Sequence, residues 1–336
     1  MVRKGARNLI TDVTGLRVGN AADASAITGT TVLVAEKPMS AVVDIRGGAP
    51  GTRETDLLDP FNLVGQVDAI VLSGGSVFGL EAASGVVSGL TAAGRGFRMS
   101  PSAHPVPLVP AAILFDLTNG GDKSWGENPP YRNLGRAAFD AAADSFALGN
   151  IGAGLGARAG AYKGGLGSAS SVTDDGFTVG ALVAVNSLGS PVIPGTDVLW
   201  PFPFEQDGEF GGRRLTAPHA SDLDLPGDMK GALPGQATTI GIVAVDADVT
   251  RVELQRIVVM AADGFARALR PVHTPFDGDL LFAVATGARP IGEPRQRNVM
   301  RLGSIAADTL SRAIARGVYE AKTLGAMQGY GETFKT

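Results

Sequence analysis

The sequence contains no cysteine and only three histidines among its 336 residues. Without cysteine there is no disulfide, no thiolate zinc site and no cysteine nucleophile. Three histidines leave little from which to build a metal centre, so neither metal nor cofactor is expected. Basic blocks are missing too, as is any interleaving of aromatic with basic residues, and the net charge is −4. That combination argues against a nucleic-acid partner. No apolar run approaches the ~18 residues of a membrane span. The basic start MVRKGARNLI lacks the apolar stretch of a signal peptide. The expectation is a soluble cytoplasmic protein with no membrane partner.

Glycine is abundant instead, at 47 residues, against a usual share of ~7%. It follows no collagen-like period, so it points to tight turns and close backbone approaches in a layered sheet protein. Hydrophobic residues make up 44% and charged residues 18%, ample for a large core. The length admits two domains or one large α/β unit. No internal repeat is visible.

Along the chain, residues 10–20 read as a strand and turn. Thr30–Val34 and Ala41–Ile45 read as two strands separated by a Lys37-Pro38 turn. The charge-dense loop from Asp44 to Asp56 is either a solvated connection or a binding loop. Asp68–Leu72 is a buried strand running into Ser73-Gly-Gly-Ser-Val-Phe-Gly79 and a helix from Leu80 to about Ala93. These glycines match neither a dinucleotide fingerprint nor a Walker loop. A strand follows at Ala111–Leu117, a helix at Asn133–Phe146, and a strand from Thr178 to Val185 that ends at Asn186. Residues 149–168 are the most glycine-dense stretch, and their one ammonium, Lys163, is either a surface charge or a charge aimed into a cleft. Residues 195–235 form a Pro/Gly-rich loop region. The strand at 239–245 precedes a helix opened by the capping box Thr250-Arg-Val-Glu253 and running to about Leu269. A strand at Leu280–Ala285 and an amphipathic helix at about Val299–Glu320 complete an α/β or α+β pattern.

The candidate chemistry centres on Pro234-Gly-Gln-Ala-Thr-Thr-Ile240, where turn residues enter an apolar strand with two threonines at the junction. A cut before Thr238 would put a hydroxyl nucleophile and an amine base on one residue. Asp277 and Asp279 flank Gly278 just before a strand; they either share one site or form a solvated turn. Asn186 at its strand end is either a turn former or an oxyanion donor.

The sequence resembles the DmpA-type L-aminopeptidase/D-amidase-esterases, whose relatives include β-peptidyl aminopeptidases and nylon-oligomer amidases. The likeness covers nearly the whole chain. It rests on Ile10-Thr-Asp-Val-Thr-Gly-Leu-Arg-Val-Gly19, the Asp44–Asp56 loop, Leu72-Ser-Gly-Gly-Ser-Val-Phe-Gly-Leu80, Gly154-Leu-Gly-Ala-Arg-Ala-Gly160, Ala184-Val-Asn-Ser187, Thr238-Thr-Ile-Gly241 and Arg270-Pro-Val-His-Thr-Pro-Phe-Asp-Gly-Asp279. The resemblance implies a four-layer αββα sandwich like that of the N-terminal-nucleophile hydrolases. It implies one catalytic domain, residues 1–336, that cuts itself between Ala237 and Thr238 into an α chain (1–237) and a β chain (238–336). Thr238 would then be the nucleophile, Asn186 the oxyanion donor, Lys163 a charged partner, and Asp277 with Asp279 the acidic pair that holds the nucleophile. Gly75 and Phe78 would contact substrate; Phe78 stands where some relatives carry a tyrosine. Ala237 stands where members often carry Asn or Gly, although the related ornithine acetyltransferases cleave between Ala and Thr.

The leading reading is therefore a self-processing aminopeptidase or amidase acting on short peptides, amino-acid amides or esters. It is expected to assemble as a homotetramer of αβ units. The rivals are a nylon-oligomer amidase of the same mechanism, an acyl transferase, and an uncleaved, non-catalytic binding protein on the same fold.

Overall fold

The computed structural model describes residues 2–217, 225, 227–231 and 237–335. Its architecture is carried by strands β1 (Leu16–Asp23), β2 (Thr28–Ile45), β3 (Gln66–Ser73), β4 (Ala111–Ile113), β5 (Leu166–Thr173), β6 (Thr178–Asn186), β7 (Thr238–Asp248) and β8 (Leu280–Pro290). The principal helices are α1 (Ala82–Ala92), α2 (Tyr131–Asp140), α3 (Arg251–Ala261) and α4 (Arg295–Tyr319).

β2 joins two sheet layers. Its first half pairs with β1 on one side and β3 on the other, and its second half pairs with β8. The strand order is β5-β6-β7-β8-β2-β3-β4, with β1 also on β2. Side-chain alternation shows the layering, because successive residues of a strand face opposite ways. Leu182 of β6, Ile240 and Ile242 of β7, and Phe282 of β8 meet Leu33 of β2 and Ile70 and Leu72 of β3 in one core between the layers. Val183, Val243, Leu281 and Ala283 face the other way, against Leu254, Ile257 and Val258 of α3 and Leu302, Ala306 and Leu310 of α4. On the far side, Val32 and Val34 of β2 and Ala69 and Val71 of β3 pack against Ala82, Val86 and Leu90 of α1 and Leu134 and Ala138 of α2. Helix, sheet, sheet, helix: this is the four-layer sandwich. Because both faces of the inner strands are covered, they read as continuous apolar runs.

Several local expectations change. Lys37-Pro38 is not a turn between two strands; both residues lie within β2, exposed, where the pairing with β3 shifts register between Val34 and Met39. Proline is tolerated there because the ladder is already interrupted. Ile10–Asp12 is a short 3-10 helix, and the strand begins at Leu16. The α2 helix ends at Asp140 rather than near Phe146. Ala111–Ile113 is the only part of 111–117 in a strand. α3 stops at Ala261 and a separate turn of helix, Asp263–Ala266, follows. The capping box stands as read: Thr250 N donates to Glu253 Oε2 at 2.8 Å, and Glu253 N donates to Thr250 Oγ1 at 3.3 Å.

The glycine-dense region acquires a reason. Gly167 of β5 lies so close to α4 that a Cβ there would come within 1.9 Å of the Ala313 carbonyl oxygen. Both are backbone, so neither can yield cheaply. Gly167→Ala is expected to lower stability by about 1–3 kcal/mol, read as a lower urea midpoint at unchanged m value. An unchanged midpoint would show that α4 has room to move away.

Candidate active site

Thr238, Asn186 and the Asp277–Asp279 turn are far apart in sequence, and strand direction brings them to one end of the sheet's inner strands. β7 and β8 are parallel, so both begin there; Ala237 forms a parallel bridge with Asp277. β6 is antiparallel to β7 and therefore ends there, with Asn186 in register opposite Thr238.

Thr238 is buried, at 3% exposure. Its Oγ1 donates to the carbonyl oxygen of Ala237 at 2.6 Å, and the same oxygen accepts from Gly278 N at 2.9 Å. A Cβ on Gly278 would lie 2.7 Å from Thr238 Oγ1, so the residue between the two aspartates leaves room for the hydroxyl. Asp279 Oδ1 accepts from Thr239 N at 2.7 Å, and its Oδ2 accepts from His273 N and faces His273 Nδ1, both at 3.0 Å. Asp277 Oδ2 accepts from Thr274 N at 2.8 Å and Thr274 Oγ1 at 2.6 Å. Burial, and then the neighbouring Asp279, raise the pKa of Asp277 above the usual carboxylate range. The aspartates thus hold the backbone around Thr238. The Asp44–Asp56 loop braces their turn: Arg46 N and Gly47 N donate to Asp279 O, each at 3.0 Å, and Ala49 N donates to Asp277 O at 2.8 Å.

Lys163 is not on the surface. It is fully buried, and its ammonium donates to the carbonyl oxygens of Gly154 and Ala157 at 2.9 Å and of Gly164 at 2.6 Å. Burial lowers its pKa to about 7, with Asp116 opposing the shift. Asn186 Oδ1 accepts from Arg158 N at 3.0 Å and Lys230 Nζ at 2.9 Å, and Nδ2 donates to Phe115 O at 3.1 Å.

A cavity of about 770 Å³ opens beside Asn186, its wall including Asp116, Asn119, Gly156, Arg158 and Lys230. Thr238 is not part of this wall; it pairs in register with Asn186, which is. Asp116 is buried and accepts from Thr28 Oγ1 at 2.6 Å and Gly75 N at 2.8 Å. Burial raises its pKa. Gly75 therefore directs its N–H at Asp116. Phe78, partly exposed, stands edge-on to Trp125 with ring centroids 5.9 Å apart, away from the cavity wall. Among the described residues, no group of three or more His, Cys, Asp or Glu is arranged to hold a metal, and no helix is long and apolar enough to cross a membrane. The residues Pro234, Gly235 and Gln236 of the junction lie outside the described residues.

The model of peptidase family S58 matches residues 8–331. The chain belongs to peptidase family S58. An uncharacterized aminopeptidase of Mycobacterium tuberculosis is 41% identical over 97% of this chain and 98% of its own. A 6-aminohexanoate-oligomer endohydrolase of a Kocuria species is 30% identical over 92% of this chain and 86% of its own. Among solved structures, a Burkholderia β-aminopeptidase superposes with a TM-score of 0.71 at 22% identity, covering 99% of this chain and 93% of that one. The L-aminopeptidase D-Ala-esterase/amidase of Ochrobactrum anthropi, described as a variant of the Ntn hydrolase fold, superposes with a TM-score of 0.68 at 18% identity over 99% and 96%. The S58 chain is a hydrolase of amide bonds with the sandwich that the resemblance implied.

Sequence reasoning missed Asp116 and Lys230. Asp116 was absorbed into an apolar segment, where a single acid after buried strand residues is the available signal. Lys230 is the only lysine between Lys163 and Lys322, set in a loop that composition alone marks as exposed.

Two lysines of this S58 peptidase, Lys163 and Lys230, are held near pKa 7 by burial, well below the ordinary 10.5. Between those values the unfolded chain binds more protons than the folded one, so stability rises with pH; below about 7 both states are protonated and the burial penalty is at its full size. The melting temperature is expected to rise from pH 7 to 9, and Lys163→Met should remove part of that rise. A flat or falling wild-type profile would contradict the burial of these ammonium groups.

Proposed function

We propose that this S58 peptidase processes itself between Ala237 and Thr238 and then releases amino-terminal residues from short peptides, amino-acid amides or esters, with Thr238 as nucleophile. The observation that carries the reading is the Thr238 hydroxyl 2.6 Å from the Ala237 carbonyl oxygen, which also accepts the Gly278 N–H at 2.9 Å. Attack of Oγ1 on the Ala237 carbonyl carbon would put negative charge on an oxygen that already has a backbone donor. Loss of the C–N bond gives the Thr238 amine, which takes up a proton, and an ester to its hydroxyl. Water then hydrolyses the ester, leaving the Ala237 carboxylate and a free hydroxyl. The amine serves as base in later turnovers. At 3% exposure, Thr238 is closed to substrate in the uncut chain, so the cut is what exposes it. Residues 1–237 and 238–336 would remain one domain, because β7 stays paired with β6 and β8.

Asp116 gives the site a reason to prefer a free amine. It is the only carboxylate on the cavity wall among the described residues, and a substrate ammonium would offset its buried charge. Linear ω-amino amides carry the same ammonium end, and the relationship to an oligomer endohydrolase supports them as the alternative substrate class.

Wild-type protein should separate under denaturing mass analysis into chains of 237 and 99 residues, while Thr238→Ala should remain a single 34.3 kDa species and fail to hydrolyse aminoacyl p-nitroanilides. A wild-type chain that stays whole and inert would instead support a binding protein on this fold. Asp116→Asn should raise KM for these substrates by about tenfold to a hundredfold with kcat less affected; an unchanged KM would remove Asp116 from amine recognition.

A further inference from the structure

A carboxamide can present either end to its surroundings, and only one end can donate to an oxyanion. At Asn186 the partners sort the ends. Oδ1 faces the Arg158 backbone N–H, which can only donate, at 3.0 Å and accepts from the Lys230 side-chain nitrogen at 2.9 Å. Nδ2 faces an acceptor, the Phe115 carbonyl, at 3.1 Å. A flipped amide would set N–H groups against N–H groups. When protonated, the lysine adds charge as well as direction, since a hydrogen bond from a cation is stronger than one from a neutral donor.

Lys230 is itself fixed by the loop that leaves β6. Its backbone N donates to Leu188 O at 3.0 Å, and two residues earlier Asp228 Oδ2 accepts from Ser190 Oγ at 2.5 Å. Leu188 and Ser190 follow Asn186 closely in the chain, so the donor and the residue that orients it share one support. Asn186, Arg158 and Lys230 also share the cavity wall.

We infer that Lys230 is a positioning residue for hydrolysis, holding the Asn186 carboxamide with its N–H end, rather than its oxygen, turned toward the substrate oxyanion. This rests on the reading of Thr238 as nucleophile and Asn186 as oxyanion donor. On that reading Lys230 lies seven residues before the new end of the α chain. The segment carrying it therefore has to stay seated against Leu188 and Ser190 after the cut.

The test compares Lys230→Met, Lys230→Arg, Asn186→Ala and the Asn186→Ala/Lys230→Met double variant on the aminoacyl p-nitroanilide that wild type hydrolyses fastest. Intact mass is measured for every variant, with Thr238→Ala alongside. Lys230→Met should still separate into two chains, keep KM within about threefold and lose kcat by about tenfold to a hundredfold; Lys230→Arg should recover part of that loss. In the Asn186→Ala background the lysine change should cost no more than about twofold further, because its effect runs through that amide. A kcat within twofold of wild type in Lys230→Met, a loss confined to KM, or additive losses in the double variant would overturn the proposal. So would an uncut Lys230→Met chain, which would put the lysine in maturation. An active Thr238→Ala protein would overturn the underlying reading instead, whatever Lys230 does.

Discussion

The hydrogen bond from Gly278 N to the Ala237 carbonyl is the first rung between β7 and β8, and the site depends on it. A rung at the end of a parallel ladder is held by all the rungs behind it. Here those run from the Ile240–Leu280 pair through Val245–Ala285. The carbonyl beside Thr238 is therefore fixed in direction before any side chain contributes. The hydroxyl that bonds to it at 2.6 Å occupies the room left by a glycine at 278. The acidic turn then secures the backbone on either side, through Asp279 to Thr239 N and through the ladder at Asp277. Asn186 reaches the same end of the sheet only because β6 runs antiparallel to β7.

Sequence reading singled out those residues of the candidate site that sit at strand ends. Asn186, Thr238 and Asp277–Asp279 each border an apolar run, and a polar residue at such a border stands out. The inner strands were legible for the same reason, being buried on both faces. Lys37-Pro38 misled because proline ordinarily ends a strand, whereas here it falls at a register shift that needs no donor. The glycine-dense stretch resisted interpretation because its constraint is the backbone of α4, far along the chain: Gly167 is opposite Ala313. Lys163 could not be assigned because its partners are carbonyl oxygens, which every sequence has. Asp116 and Lys230 were hidden by their neighbours, one within an apolar segment and the other within a Pro/Gly loop.

The ionisable groups around the cavity are linked by burial. It raises the pKa of Asp116 and lowers those of Lys163 and Lys230, so each is pushed toward its neutral form. Asp116 in turn opposes the shift of both lysines. The charged forms therefore support one another, and water alone does not determine the charge state of the site. A substrate ammonium beside Asp116 would enter that balance as a further cation. It would favour the ionised carboxylate while competing with the lysines for the same negative charge. Amine recognition and the protonation of Lys163 and Lys230 would then be coupled through one buried acid, although the lysines bond to different partners: the loop carbonyls for Lys163 and the Asn186 amide for Lys230. On the proposed reading, a cavity with that coupling would distinguish a free amino end from a blocked one by charge, without needing a pocket shaped to one side chain.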